Sequence, residues 1–71
     1  MKITFDEKAD ALYIQFQKGS IAKTRKVNDG VLIDIDKKGR LFGLEILDAS
    51  QRMPKKSITD INIHLPVKSA I

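Results

Sequence analysis

Acidic residues recur around one glycine in a spacing that resembles a calcium-binding loop. Asp34 and Asp36 match positions one and three of an EF-hand loop, and Gly39 and Glu45 match positions six and twelve. Position five, however, is Lys38, a cation where the loop needs an oxygen ligand. The flanking residues alternate apolar and polar as strands do, whereas an EF-hand loop lies between helices. We therefore expect no metal site here.

The same carboxylates could act as a general acid–base pair or as partners for cations. Alternation along the chain places Asp34 and Asp36 on the polar face of one strand. If the preceding hairpin has a two-residue loop, Arg25 lies opposite Asp34 and Lys23 lies opposite Asp36. A three-residue loop would turn both cations toward the apolar face. Because opposite charges across a strand pair are favourable and buried cations are costly, we predict the first register and structural ion pairs.

No other set of residues in the sequence supports catalysis. His64 is the single histidine, and the chain has no cysteine. This composition leaves out disulfides, thiolate metal sites, iron–sulfur clusters and multi-histidine metal sites. No serine lies in a nucleophile-elbow pattern, and no glycine-rich phosphate loop is present. The sequence therefore predicts a protein that is not an enzyme and has no catalytic residue, metal or cofactor.

The charge of the chain is basic and unevenly spread. There are 13 Lys and Arg against 9 Asp and Glu, a formal net charge of +4. The segment 18–26 holds no acid and four basic residues, namely Lys18, Lys23, Arg25 and Lys26. This segment is a candidate basic patch, and weak nucleic-acid binding is the alternative function that it indicates. Since one Tyr and three Phe provide no stacking platform, we prefer a solvated surface.

Length and hydrophobicity limit the class of protein. The 71 residues leave room for one domain, spanning 1–71, and the 42% hydrophobic and 31% charged composition is typical of a soluble globular chain. No apolar run approaches the roughly 20 residues that span a bilayer. The chain reaches Asp6 without the hydrophobic stretch of a signal peptide. We expect a cytoplasmic protein without a membrane partner.

Period-two alternation predicts the elements that position these residues. It indicates a mainly β fold, with a β-rich α+β fold as its variant, built as an antiparallel meander of five to six strands. The predicted strands are 3–5, 12–16, 21–28, 31–35, 42–46 and 61–67, the last at a sheet edge because Pro66 cannot donate a ladder bond. Asp6 caps a turn over 6–10, and Asp48 caps one short helical turn over 48–52.

The register of one hairpin follows from its turn and its apolar residues. A loop at Lys38-Gly39 pairs apolar residues with apolar residues at every step, and a shift by one residue would break the match. The predicted pairs are Ile35 with Phe42, Ile33 with Leu44, and Val31 with Ile46.

A second set of apolar residues falls on the opposite phase of the strands. It consists of Tyr13, Leu32, Leu41 and Leu47, and the last strand adds Ile61 and Ile63. A sheet with one covered face would leave this set exposed, so we take it as a candidate interface. A chain of this size without disulfides or metal has a small core, and association between copies is the usual support. The sequence therefore predicts a homo-oligomer, most simply a twofold dimer.

Three blocks of the sequence carry a resemblance to a known protein family. They are Phe5–Ile14, Asp29–Asp34 and Gly39–Ser50, and together they resemble the domain of unknown function 2283 family over about residues 2–52. The resemblance implies a small stand-alone β-rich domain with no assigned activity, and an antitoxin-like binder of a protein partner. Within these blocks, Asp6 and Asp10 fit the first turn, and Gly43 lies opposite Asp34, where a side chain would be crowded. The segment from Met53 onward does not share the resemblance. Our leading hypothesis is a non-enzymatic, homo-oligomeric interaction module.

Overall fold

Alternating apolar and polar residues form a single antiparallel sheet in the computed structural model, which describes residues 1–66. Within this range the prediction of a mainly β fold is confirmed, since five strands precede two short helices. The elements are β1 (Lys2–Asp6), β2 (Ala11–Gln15), β3 (Lys23–Asn28), β4 (Val31–Ile35), β5 (Leu41–Leu47), α1 (Ala49–Arg52) and α2 (Lys55–Thr59). No helix in residues 1–66 has the length and apolar character needed to cross a membrane.

The strands are ordered β1-β2-β5-β4-β3, which departs from a simple meander. After β2 the segment 16–22 crosses to the far edge of the sheet, and β5 later returns between β2 and β4. The sequence accounts for this order. β5 is the longest strand, with Phe42, Leu44 and Ile46 on its apolar phase, and it pairs on both sides. The strand β3 is polar, all six of its residues are exposed, and it occupies an edge.

The register of the β4–β5 hairpin is predicted correctly over most of its length. Val31 pairs with Ile46, and Ile33 pairs with Leu44. The prediction for Ile35 is wrong, because the register shifts after Asp34 and Ile35 pairs with Leu41. The shift leaves Phe42 as an extra residue in β5, where it is buried.

The register predicted for the β3–β4 hairpin is wrong. Lys23 pairs with Ile35, Arg25 with Ile33, and Thr24 with Asp34, as the three-residue loop would give, with a shift between Lys26 and Asn28. On an interior strand this register would bury two cations. Because β3 is an edge strand, Lys23 and Arg25 stay exposed and the desolvation cost does not arise.

The two predicted ion pairs are therefore absent from the described residues. Asp36 pairs instead with Arg40 across its own turn, at 3.0 Å between carboxylate and Nε. Lys26 pairs with Asp29 at 2.8 Å at the tip of the β3–β4 hairpin. Both pairs join residues close in sequence. The Lys26–Asp29 pair is solvent-exposed and adds little stability, whereas the side chain of Asp36 is only 11% exposed.

Two aspartates organise the connections around the β1–β2 hairpin. The prediction that Asp6 caps the turn is confirmed, since its Oδ1 accepts hydrogen bonds from the backbone of Lys8 (3.0 Å) and Ala9 (3.2 Å). Asp10 reaches across to α1. Its carboxylate accepts the backbone N–H of Ser50 at 3.0 Å and the Ser50 hydroxyl at 2.7 Å, while its carbonyl accepts the N–H of Ala49 at 2.9 Å. Ala49 is fully buried at this junction.

The helical turn is confirmed, but its predicted cap is wrong. Asp48 occupies the residue before α1 with a φ of 53°, and its side chain makes no capping hydrogen bond. Asp10 satisfies the start of α1 in its place. The end of α1 is fixed by Arg52, whose Nε donates to the carbonyl of Leu47 at 2.8 Å and whose Nη2 donates to the carbonyl of Asp29. The Arg52 guanidinium lies over Gly30, where a Cβ would collide with it.

The segment after α1 differs most from expectation. Helix α2 was not predicted; Pro54, which has no N–H to satisfy, lies directly before it. The predicted sixth strand is wrong over residues 61–66, which form no strand, and Val67 lies outside the described residues. Alternation alone does not make a strand, because a strand also needs a neighbour for its backbone groups.

We predict that Asp10→Gly lowers the free energy of unfolding by about 1–3 kcal/mol, because a partly buried carboxylate loses two hydrogen bonds. The matched control is Asp48→Gly, since both residues have positive φ and glycine tolerates it at both positions. The control should leave stability within about 0.5 kcal/mol of the original. Chemical denaturation measures both, and equal losses in the two variants would contradict the assignment.

Candidate functional site

A buried carboxylate lies at the centre of the polar face of the sheet. Asp34 in β4 accepts the Tyr13 hydroxyl on Oδ2 at 2.6 Å and the Thr24 hydroxyl on Oδ1 at 2.6 Å. Tyr13 comes from β2 and Thr24 from β3, so the three residues connect three strands. Each carboxylate oxygen has a partner, which is the condition for a stable buried charge.

Gly43 makes room for this network. It lies in β5 opposite Asp34, between the strands that carry Tyr13 and Asp34. A Cβ at Gly43 would overlap the hydroxyl and ring of Tyr13. The expectation that a side chain would be crowded opposite Asp34 is therefore confirmed, and the crowding atoms belong to Tyr13 on the adjacent strand β2.

The environment keeps Tyr13 protonated. Burial, the hydrogen bond to Asp34, and the negative charges of Asp34 and Glu45 raise the pKa of Tyr13 from 10.0 to about 12. At neutral pH the phenol is therefore a hydrogen-bond donor and not a base. The network joins β2, β4 and β3 at one point of the polar face.

We predict that the tyrosinate absorbance of the folded protein titrates near pH 12, and that of the unfolded chain near 10, because Tyr13 is the single tyrosine and there is no tryptophan. Because folding raises the pKa of Tyr13, the contribution of Tyr13 to the free energy of unfolding is complete below pH 10 and declines as the pH rises toward 12. Asp34→Asn should move the midpoint partly back toward 10, since burial remains. Asp36→Asn, outside this network, should leave it unchanged. A midpoint insensitive to Asp34→Asn would contradict the coupling.

Asp36 belongs to a separate network that closes the β4–β5 turn. Its Oδ1 accepts the backbone N–H groups of Lys38 (2.9 Å) and Arg40 (2.8 Å), and its Oδ2 accepts the side chain of Gln17 at 3.2 Å. The hydrogen bond from the Arg40 backbone, together with those from the Arg40 and Gln17 side chains, lowers the pKa of Asp36 against a smaller opposing effect of desolvation. The two aspartates of the EF-hand-like spacing thus bind different parts of the chain. Among residues 1–66 no three potential ligand side chains come together.

The residues of the candidate basic patch that lie in β3 are divided between the two faces of the sheet. Lys23 and Arg25 lie on the same side of the sheet as Ile35 and Ile33, while Lys26 pairs with Leu32 on the other side. Lys18 lies in the crossing segment 16–22, away from β3 in sequence. The structure therefore places basic residues that are close in sequence on opposite faces of the sheet.

The six residues of the candidate interface are also separated. Tyr13 and Leu32 lie on the polar face, half-buried, and the Tyr13 hydroxyl is already bonded to Asp34. Leu47 is exposed at the end of β5, and Leu41 is exposed beyond the register shift, opposite Ile35. Ile61 and Ile63 are exposed after α2.

A larger apolar surface lies on the other face of the sheet. We define the apolar sheet face as two cross-strand rows, Ile3–Ile14–Leu44–Ile33 and Phe5–Leu12–Ile46–Val31. Only Leu12 of these eight residues is buried, and the other seven are partly exposed although most lie on interior strands. The sequence favours a sheet with one covered face, and in the structure that apolar face is incompletely covered. The signal in the sequence for this exposure is the shortage of helical segments, since one short helical turn cannot cover a sheet of five strands.

Helix α2 covers only one end of the apolar sheet face. Ile58 and Phe5 line the same open groove, of about 370 Å³, together with the polar residues Glu7, Asp10, Ser50, Lys55 and Thr59. The polar atoms of Asp10 and Ser50 are bonded to each other. The groove therefore marks where α2 meets the edge of the sheet, and the interior rows extend beyond it.

Comparison with known proteins identifies the family of the chain. A family model described as "Protein of unknown function (DUF2283)" matches residues 2–50. The chain belongs to this family. The matched region of the DUF2283 protein contains all five strands, the Asp34 network and the Asp10–Ser50 junction, and it ends before α2. Neither the search of curated proteins nor the search of solved structures gave a match. The family description assigns no activity, so a functional proposal depends on the structure.

Proposed function

We propose that this DUF2283 protein is a non-enzymatic interaction module that acts as a homodimer, with the apolar sheet face as the contact between copies. The observation that carries the proposal is the incomplete burial of Ile14, Ile33, Leu44 and Ile46 on interior strands. In a sheet covered on that side, such residues form the core. A second copy supplies the missing layer with an identical apolar surface.

The exposed area supports this proposal in magnitude. A compact monomer of 8.0 kDa exposes about 4,450 Å² by the usual scaling. The chain exposes 5933 Å². The excess is roughly 1,500 Å², and each partner of a standard interface buries about 800 Å². The exposed segment 60–66 contributes to this excess together with the incompletely buried sheet.

The dimensions of the molecule also support the proposed homodimer. A compact chain of 71 residues has a radius of gyration of about 11 Å. The observed value is 13.8 Å, and the shortest dimension is 19 Å. One sheet with partial helical cover is thin and wide. Stacking a second sheet about 10 Å away gives the two-layer architecture in which antiparallel sheets usually bury their apolar faces.

The polar residues support binding rather than catalysis. The carboxylates of Asp6, Asp10, Asp34 and Asp36 accept hydrogen bonds from their own chain. A carboxylate that holds a turn or joins strands in this way has a structural role. Within residues 1–66 the apolar sheet face, in contrast, is only partly covered by the chain's own helices.

We predict that the protein sediments as a dimer at low micromolar concentration and that its melting temperature rises with concentration, because association stabilises the folded state by mass action. Ile33→Lys should weaken the dimer at least about tenfold, since it places a charge in the interface. Leu32→Lys is the matched control, because Leu32 is the neighbouring half-buried residue on the opposite face, and it should leave the affinity unchanged.

The outcomes separate the alternatives. A monomer whose melting temperature stays constant over a hundredfold dilution overturns the homodimer. The apolar sheet face would then be the site for a different protein, as the antitoxin-like role requires. A dimer broken by Leu32→Lys and not by Ile33→Lys would place the contact on the polar face.

A further inference from the structure

The residues after α2 have the pattern of a strand without the pairing of one. We define the C-terminal arm as residues 60–66. Its apolar side chains alternate and are largely exposed, with Ile61 at 51%, Ile63 at 71% and Leu65 at 68%. The described side-chain hydrogen bond within it is local, from Asn62 to Asp60 at 3.1 Å. Three large apolar residues with strand periodicity are thus presented to solvent, which marks a segment adapted to a partner.

We infer that the C-terminal arm of one copy pairs along β1 of a second copy and forms the sixth strand of that sheet. The inference rests on the proposed homodimer and names the contact that completes it. It is a case of strand addition at a free sheet edge, in which backbone hydrogen bonds supply affinity and alternate side chains supply specificity.

The two edges of the sheet differ in their suitability. The edge strand β3 carries Lys23, Arg25 and Lys26 and a register shift before Asn28. Lysines and irregular pairing are the features that protect an edge from strand addition. The other edge, β1, is regular along its whole length and has its charges at its two ends, Lys2 and Asp6. Of the two edges of the sheet, β1 is therefore the one suited to pairing with the arm.

The side-chain pattern of the arm matches β1. Ile3 and Phe5 of β1 lie on the apolar sheet face, and Thr4 between them lies on the polar face. An added strand in register would place Ile63 and Leu65 beside the apolar pair, and His64 beside Thr4. Pro66 would lie where the added ladder ends, since it has no N–H to donate.

The arm begins at the right place and is long enough. Thr59, the last residue of α2, lines the groove that Phe5 of β1 also lines, so the arm starts at the β1 edge. Seven extended residues reach about 23 Å, whereas stacked sheets lie about 10 Å apart. In a face-to-face dimer about three of these residues therefore span the gap to the partner's sheet, and the remaining four, residues 63–66, pair with its β1 edge. Twofold symmetry gives two such pairings for each dimer.

The test removes the arm and alters its two faces separately. A chain that ends at Thr59, and the variant Ile61→Ser with Ile63→Ser, should each raise the dimer Kd at least about tenfold. The matched control Asn62→Ser with His64→Ser changes the polar positions and should leave the Kd unchanged. Because the arm residues are exposed, these variants leave the fold of the sheet intact, which circular dichroism checks.

A cross-linking experiment locates the arm. The chain has no cysteine, so copies carrying Thr4→Cys can be mixed with copies carrying Asn62→Cys or His64→Cys and oxidised. A disulfide between unlike copies is expected for at least one pair, and none when Lys26→Cys on β3 replaces Thr4→Cys. If the original protein dimerises but the chain ending at Thr59 dimerises equally well, the inference about the arm is wrong and the homodimer stands. If the original protein is monomeric at all concentrations, both fail.

Discussion

The sheet depends on one buried carboxylate. Asp34 would destabilise the fold if it were unpaired, and hydroxyls from β2 and β3 make it a connection between strands instead. The arrangement requires β5 to have no side chain at Gly43, so that Tyr13 can extend over the backbone of β5. A glycine, a tyrosine, an aspartate and a threonine on four adjacent strands thus specify each other. They also fix which face of the sheet is polar, and therefore which face is left for an apolar contact.

The parts of this structure that sequence predicts are those determined locally. Strands follow from alternation, and the β4–β5 register follows from a turn at Lys38-Gly39 combined with apolar pairing. The β3–β4 register was mispredicted because the strand order was unknown. Lys23 and Arg25 would be costly on the apolar side of an interior strand, but on an edge they remain in water.

The candidate sites were harder to predict, since they depend on contacts between distant segments. Asp10 binds Ser50 over a separation of 40 residues, and local sequence pointed to Asp48 as the cap. Tyr13 meets Asp34 because β5 lies between their strands, and no spacing in the sequence encodes that order. The apolar sheet face was present as the apolar phase of the predicted strands. Its exposure depends on the lengths of α1 and α2, which are too short to cover it.

The crossing segment 16–22 divides the sheet into two local units that meet at a single seam. The pair β1–β2 and the set β3–β4–β5 each connect through short turns, whereas β2 joins β5 across roughly thirty residues of intervening chain. Local pairings close at the lowest entropic cost, so each unit can form before the seam does. The two units are then, in effect, a hairpin and a three-stranded sheet that assemble within one chain. A polypeptide cut within the segment 16–22 would keep both units whole, and their reassembly would be an association reaction rather than a folding one.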